Sequence, residues 1–345
     1  MENIKKLVFT IGIAFSMFAT AQQDAQFSHY MFNKLYYNAG YSGVEGMTRA
    51  TLLHRSQWLG YDGTLDQGGA PTSQMLSISH PFKFLGSYTP NAGAGLVLTN
   101  DRLGPWRILN VKASFSYHVK LKNSGVIGYG LRVGILNQSI DGSVLRAVDQ
   151  NDDVVDALVS GGNNNQLKPD FDLGIFYQTK KYYAGIALTH LSASSFKFES
   201  DAINSVLARH LYINGGYIIP LGQNLEIEPN AIIQTDFSET SFNYGAVVNI
   251  NKYKYWGGIT LRQSIVDNEV GKDGKRLTND DLVFLVGISF LKNNALRLGY
   301  SFDLVTAGAS AKENTSHEVM LSYVLPIQKE DKFVPVRTPR YRKVN

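Results

Sequence analysis

The amino-acid sequence reads as an all-β protein, a transmembrane antiparallel β-barrel of about fourteen strands with both termini in the periplasm. Three observations carry that reading. Apolar and polar residues alternate with a period of two in segment after segment, so each segment has one greasy and one wet face. Most of these segments run about 9 to 13 residues, the length a tilted strand needs to cross a bilayer and longer than the ~5–6 of soluble strands. The connectors differ by end, short at one and long at the other, as in outer-membrane barrels with short periplasmic turns and long external loops. Composition agrees: 345 residues include 32 Gly, 19 Tyr and 18 Phe, and only 18% are charged, a profile of strand and turn formers. The mean hydropathy of −0.13 suits a barrel, because each strand is apolar on one side only.

The chain begins with Lys5 and Lys6, then an apolar run from Leu7 to Phe18, then Ala19-Thr20-Ala21. That is a secretory signal peptide over residues 1–21, too short for a span of ~20 apolar residues. The sequence holds no Cys, which excludes lipoprotein processing, disulfides, a thiol nucleophile and a thiolate metal site. Residues 22–47 form an N-terminal periplasmic or plug segment. It contains QDAQFSHYMFNKLYYNAGYSG at 23–43, crowded with aromatic rings and amides.

The barrel is assigned to residues 48–326. Strands are expected near 48–58, 73–82, 91–100, 106–120, 125–138, 168–178, 181–190, 207–220, 224–236, 240–250, 253–265, 280–290, 294–305 and 315–326. The cleanest ribbon is 109–120. There Leu109, Val111, Ala113, Phe115, Tyr117 and Val119 oppose Asn110, Lys112, Ser114, Ser116, His118 and Lys120. Short connectors are expected at 122–124, 179–181, 222–224, 250–252 and 292–294, and long ones at 59–72, 139–167, 191–206, 266–279 and 306–314. An even strand count places both termini on the short-turn side. Tyr117, Tyr182, Tyr183, Tyr253, Tyr255, Trp256 and Tyr323 stand near strand ends and fit interfacial girdles.

Little in the sequence points to chemistry. Asp149, Asp152, Asp153 and Asp156 have a loosely calcium-like spacing, but Val154 stands where the sharp-turn Gly is needed and no Glu closes the loop. No two of the seven histidines are spaced i, i+4. The chain is therefore expected to be no enzyme and to carry no cofactor or metal. The remaining element is a basic tail, residues 327–345, where six basic residues face two acidic ones, a net +4 that equals the charge of the whole chain. Pro326, Pro335 and Pro339 keep it out of the sheet. Its candidate docking residues are Lys332, Arg337, Arg340, Arg342 and Lys343, read as facing an acidic periplasmic partner. The compartment argues against nucleic acid.

The string at 23–43 resembles the N-terminal signature of the PorP/SprF family of type IX secretion and gliding proteins. RSQWLGYDGTLDQGGAPTSQMLSISHPF at 55–82, LRLGYSFDL at 296–304 and SHEVMLSY at 316–323 are similar to further family blocks. Lys34 and Ala39 replace two prolines of the usual opening. The resemblance implies an outer-membrane component of the type IX secretion or gliding machinery. Its partners would be the periplasmic ring lipoprotein and a peptidoglycan-binding subunit, or a large secreted surface adhesin, with outer-membrane lipid around the barrel. On this reading Phe27, Tyr30, Phe32, Asn33, Tyr36, Tyr37 and Asn38 form a plug or partner-binding segment, packed in the lumen or across the periplasmic mouth. Arg55 and Trp58 stand at the end of the first strand, Arg55 either at an external mouth or paired inside, Trp58 in the aromatic belt. The alternative is an outer-membrane channel for small solutes.

Overall fold

Alternation does produce a cylinder. The computed structural model describes residues 24–60, 69–87, 89–122, 125–145, 165–198, 203–267, 275–306 and 314–325. The signal peptide, Asp149, Asp152, Asp153, Asp156 and the basic tail with its five candidate docking residues lie outside the described residues. Strands β1 (Thr48–Ser56), β2 (Thr72–Phe82), β3 (Ala92–Leu103), β4 (Trp106–Lys120), β5 (Val126–Ile140), β6 (Asn165–Gln178) and β7 (Tyr182–Thr189) pair in sequence order. A small separate hairpin, β8 (Ser195–Phe198) with β9 (Ile203–Val206), interrupts the series. Then come β10 (His210–Tyr217), a two-residue piece β11 (Ile219–Pro220), β12 (Leu225–Thr235), β13 (Thr240–Ile250), β14 (Tyr255–Asp267), β15 (Lys275–Phe290), β16 (Leu296–Val305) and β17 (Ser316–Leu325).

Without the hairpin and β11 the wall has fourteen antiparallel strands. β7 pairs with β10, β10 with β12, and β1 with β17, which closes the ring. Closure leaves no open edge for lipid to meet. Thr48 pairs with Leu325, so the barrel's first and last residues share one end. That end carries mostly short turns, such as 179–181 and 251–254. The other carries the stretches between β1 and β2, β5 and β6, and β7 and β10. Two connections break the pattern at the long-loop end: 104–105 and 236–239 are as short as the turns 179–181 and 251–254 to within a residue.

Period-two alternation sorts the side chains as the sequence suggests. Leu109, Tyr117, Val119, Leu131, Val133, Ile135 and Leu173 are exposed on the outer face. Lys112, Ser114, Ser116, His118, Arg132 and Asp172 are buried on the inner face. The aromatic girdle needs correction. Tyr117, Tyr182 and Tyr255 do point outward, but Trp256 and Tyr183 are buried in the lumen, at 4% and 6% exposure. Their neighbours by parity, Thr260 and Arg262 in one strand and Ala187 and Thr189 in the other, are buried too.

Candidate functional site

Residues 24–47 fill the lumen instead of joining the sheet. Their local structure is a string of tight turns: a 3-10 turn at Tyr30–Phe32, one helical turn at Lys34–Tyr37 and a second 3-10 turn at Ala39–Tyr41. Asn38 organises this last turn. Its Oδ1 accepts from Gly40 N–H at 2.8 Å, the usual role of an Asn N-cap. Its amide donates to the Ile175 and Ile186 carbonyls at 2.9 and 3.1 Å, in β6 and β7. The wall makes room for the segment with glycines. A Cβ on Gly128 would stand 2.1 Å from the Gly40 carbonyl oxygen, and one on Gly130 would stand 2.3 Å from the Ala39 carbonyl carbon.

The segment runs from the long-loop end toward the short-turn end. Ser28 and His29 meet β16 and β17 near their long-loop ends, whereas Ser42 and Gly43 meet β4 and β2 near the short-turn end. Backbone N–H groups of Ser28 and His29 donate to Glu318 at 2.8 and 2.9 Å, and His29 Nδ1 lies 2.7 Å from the same carboxylate. Ser28 Oγ donates to Asp303 at 2.6 Å and accepts from Arg55 at 2.7 Å. Arg55 also pairs with Asp303 at 2.5 Å. Arg132 donates to the Leu35 carbonyl, to the Tyr36 carbonyl at 3.0 Å and to Asp172 at 3.2 Å. Tyr30 donates to Asn230 at 2.5 Å, and Gly43 N–H to Ser79 at 2.7 Å. The segment's buried polar groups thus meet partners on the wall or within the segment itself, such as Tyr36 Oη on the Ala25 carbonyl, which is what burial of polar atoms requires. Asn33 Nδ2 and His29 Nε2 are exceptions, having no hydrogen-bond partner among the described residues.

The rings fill what remains. Phe27, Tyr30 and Tyr37 are buried in the main core cluster, with Phe32 and Tyr36 half-buried against it. Phe32 packs on Trp256 with ring centroids 4.6 Å apart, and His29 meets the same indole at 5.7 Å. Lys34, where the family's usual opening has proline, places its Nζ 3.7 Å above the Tyr183 ring, a cation–π contact. Two cavities flank the segment. One of about 220 Å³ lies at the short-turn end beside Lys34, Glu45 and Arg297; the other, about 50 Å³, lies beside Asp24 and His190.

Of the residues singled out from sequence, Phe27, Tyr30, Phe32, Asn33, Tyr36, Tyr37 and Asn38 come together in the lumen. Arg55 joins them there, 2% exposed, and not at an external mouth. Trp58 stays apart at the long-loop end, where its backbone N–H donates to Ser316 at 3.1 Å. Sequence reasoning missed the wall residues that hold the segment: Glu318, Asp303, Arg262, Arg132 and Asp172. Their signal was a charge on the wet side of a strand, where a short polar side chain would have sufficed. Outside the strands, burial raises the Glu45 carboxyl, but Arg49 at 2.9 Å outweighs it and holds the group at about 2. Burial likewise opposes ionisation of Asp24, and His190 and His210 beside it outweigh this and hold it well below the usual carboxylate range.

The sequence profile of the family described as "Type IX secretion system membrane protein PorP/SprF" matches residues 19–323. The chain belongs to this family. It is an outer-membrane β-barrel and a component of type IX secretion. No curated protein matches the chain. Among solved structures, the TodX monoaromatic hydrocarbon channel (deltaS2 mutant) is 10% identical with a TM-score of 0.45, over 81% of this chain and 89% of that one. The toluene transporter TbuX of Ralstonia pickettii is 10% identical with a TM-score of 0.44, over 84% and 92%. CdiB from Acinetobacter baumannii is 8% identical with a TM-score of 0.36, and the match spans 81% of this chain but only 60% of that one.

Proposed function

We propose that this PorP/SprF barrel is a closed, non-enzymatic scaffold that holds other secretion components at the outer membrane. The observation that carries the reading is the luminal segment. Residues 24–47 run through the lumen and are bonded to strands on many sides of it, so the interior is spent on holding protein and not on passing solute. A body of this kind offers its two ends to partners. The long-loop end, with the β8–β9 hairpin, is the docking surface for a large secreted adhesin, since recognition concentrates on loops carried by a rigid frame. The short-turn end, where β1 begins and β17 finishes, faces the periplasm. There the basic tail, through Lys332, Arg337, Arg340, Arg342 and Lys343, reaches the ring lipoprotein or the peptidoglycan-binding subunit.

The experiment is affinity purification of the tagged protein from outer membranes in mild detergent, with partners weighed by mass spectrometry. A stoichiometric adhesin or ring component supports the scaffold. A solitary barrel that conducts ions in planar bilayers removes it in favour of a small-solute channel.

A further inference from the structure

The fold gathers three residues beside the start of the luminal segment. Asp24 opens that segment, His190 directly follows β7 and His210 opens β10. An oxygen of Asp24 and one ring nitrogen of each histidine lie within 4.8 Å of one another. Both histidines are buried. Each member has a second polar atom already held in place. His190 Nδ1 lies 2.6 Å from Asp170, His210 Nδ1 lies 3.1 Å from the Ala208 carbonyl, and Asp24 Oδ2 accepts from the Tyr212 hydroxyl at 2.7 Å. Metal-ligating side chains are held in this way: the outer bond fixes tautomer and orientation and turns the other nitrogen toward the ion. His190 Nε2 meets Asp24 Oδ1 at 2.9 Å, across 166 positions of chain.

Two further observations point to a ligand. His210 is 1% exposed, and its Nε2 is buried with no hydrogen-bond partner among the described residues. A buried polar atom left without a partner is costly, because it has given up its bonds to water for nothing in return. The cavity of about 50 Å³ adjoins Asp24 and His190, enough for about one or two water molecules. A protonated His190 bridging Asp24 and Asp170 accounts for His190 but leaves His210 unexplained. The overlapping trio of Asp170, Asp172 and His190 is close enough to share an ion as well. It already has a cation, because Lys112 Nζ sits 2.6 Å from Asp170 and 2.9 Å from Asp172.

We propose that Asp24, His190 and His210 bind one divalent transition-metal ion of the zinc type, completed by water, which latches the luminal segment to the barrel wall. Two imidazoles and a carboxylate are a donor set that suits zinc and leaves a position open. Zinc–ligand bonds of ~2.0–2.1 Å place ligand atoms about 3.3 Å apart, so a small inward movement completes the site. No sequence motif announces it, because its members come from three separate elements.

The test is a calorimetric titration of the full-length protein, stripped with chelator in detergent, with zinc ion alone. The titration needs no partner protein, so its outcome is independent of the scaffold reading. One saturable zinc per chain is expected. Asp170→Asn, acting through His190, should weaken binding about 10–100-fold. His210→Ala and Asp24→Asn should each weaken it further still, while both remain heat-modifiable barrels on gels. His54→Ala, on the outer face, should bind as the wild type does. Should Asp24→Asn fail to fold, His210→Ala decides the matter, since it breaks a single hydrogen bond, to the Ala208 carbonyl, beside the ring contacts with His190 and Tyr212. Bound zinc should also slow proteolytic cleavage within residues 24–47. Wild type binding zinc no more tightly than His210→Ala overturns the site.

Discussion

Arg55 shows how tightly the luminal segment is tied to its wall. It holds Asp303 at 2.5 Å and Glu318 at 3.7 Å, two carboxylates without solvent access, and donates to Ser28 of the segment. Removing one partner of a buried pair strands the other charge, at about 3–5 kcal/mol. Arg55→Ala should therefore lower barrel melting sharply, whereas Arg107→Ala, whose partner Asp141 lies in a loop and whose own side chain is half exposed, should change it little; equal losses would contradict the argument. Glu45 supplies a pH dependence. Its folded value of about 2 lies below the ordinary 4.5, so the protonated form is disfavoured in the folded state. The stabilisation is fully present above about pH 5 and drains away as pH falls toward about 2. Thermal melts between pH 6 and pH 2 should show this slope in the wild type and a flatter one in Glu45→Gln. Glycine at 128 answers to sterics alone: Gly128→Val puts branched carbon where the Gly40 carbonyl already stands and should expose residues 24–47 to protease, which a simple gel reads.

The strands were legible because their chemistry repeats: all fourteen wall strands lie where alternation puts them, most within a few residues at each end. The luminal segment was legible in kind, through its rings and amides, but its path was not. That path depends on wall charges contributed by strands far apart in sequence, and alternation ranks faces without saying what occupies the lumen. Trp256 and Tyr183 show the limit. Both share parity with buried polar neighbours, which marks them as inward, yet an aromatic near a strand end is chemically as fit for the lipid interface as for a packed lumen. The β8–β9 hairpin escaped for another reason. Its strands are four residues each, too short for periodicity to register. It is nonetheless built: Phe196 and Phe198 are fully buried with Leu136, Ile140 and Leu207, and Phe198 meets Trp106 at 5.5 Å. Because no wall strand pairs with it, replacing residues 195–206 by a Gly-Ser linker should leave a folded barrel. On the scaffold reading the same variant should lose its co-purified adhesin. Loss of the barrel itself would place the hairpin in the fold and not in recognition.

A closed ring of fourteen paired strands has its ladder complete without residues 24–47, since β1 meets β17 directly. The ring alone does not explain why the lumen is filled. Its inner face is lined with Lys112, Arg132, Asp170, Asp172, Glu228, Arg262, Asp303 and Glu318, charges that water would readily solvate. The luminal segment replaces that water with fixed hydrogen bonds and aromatic packing, turning a hydratable tube into a solid body. The segment should therefore govern conductance more than wall stability. In planar bilayers the full-length protein should be silent, and a variant lacking residues 24–43 should still assemble its wall and open a steady ion-conducting pore. The double variant Glu318→Gln with Arg132→Ala, which loosens anchors near the start and at the middle of the segment but keeps the chain, should flicker between closed and open levels. A deletion variant that folds in normal yield and stays silent would show that the segment does not close the barrel, and the solid-body argument would fall with it.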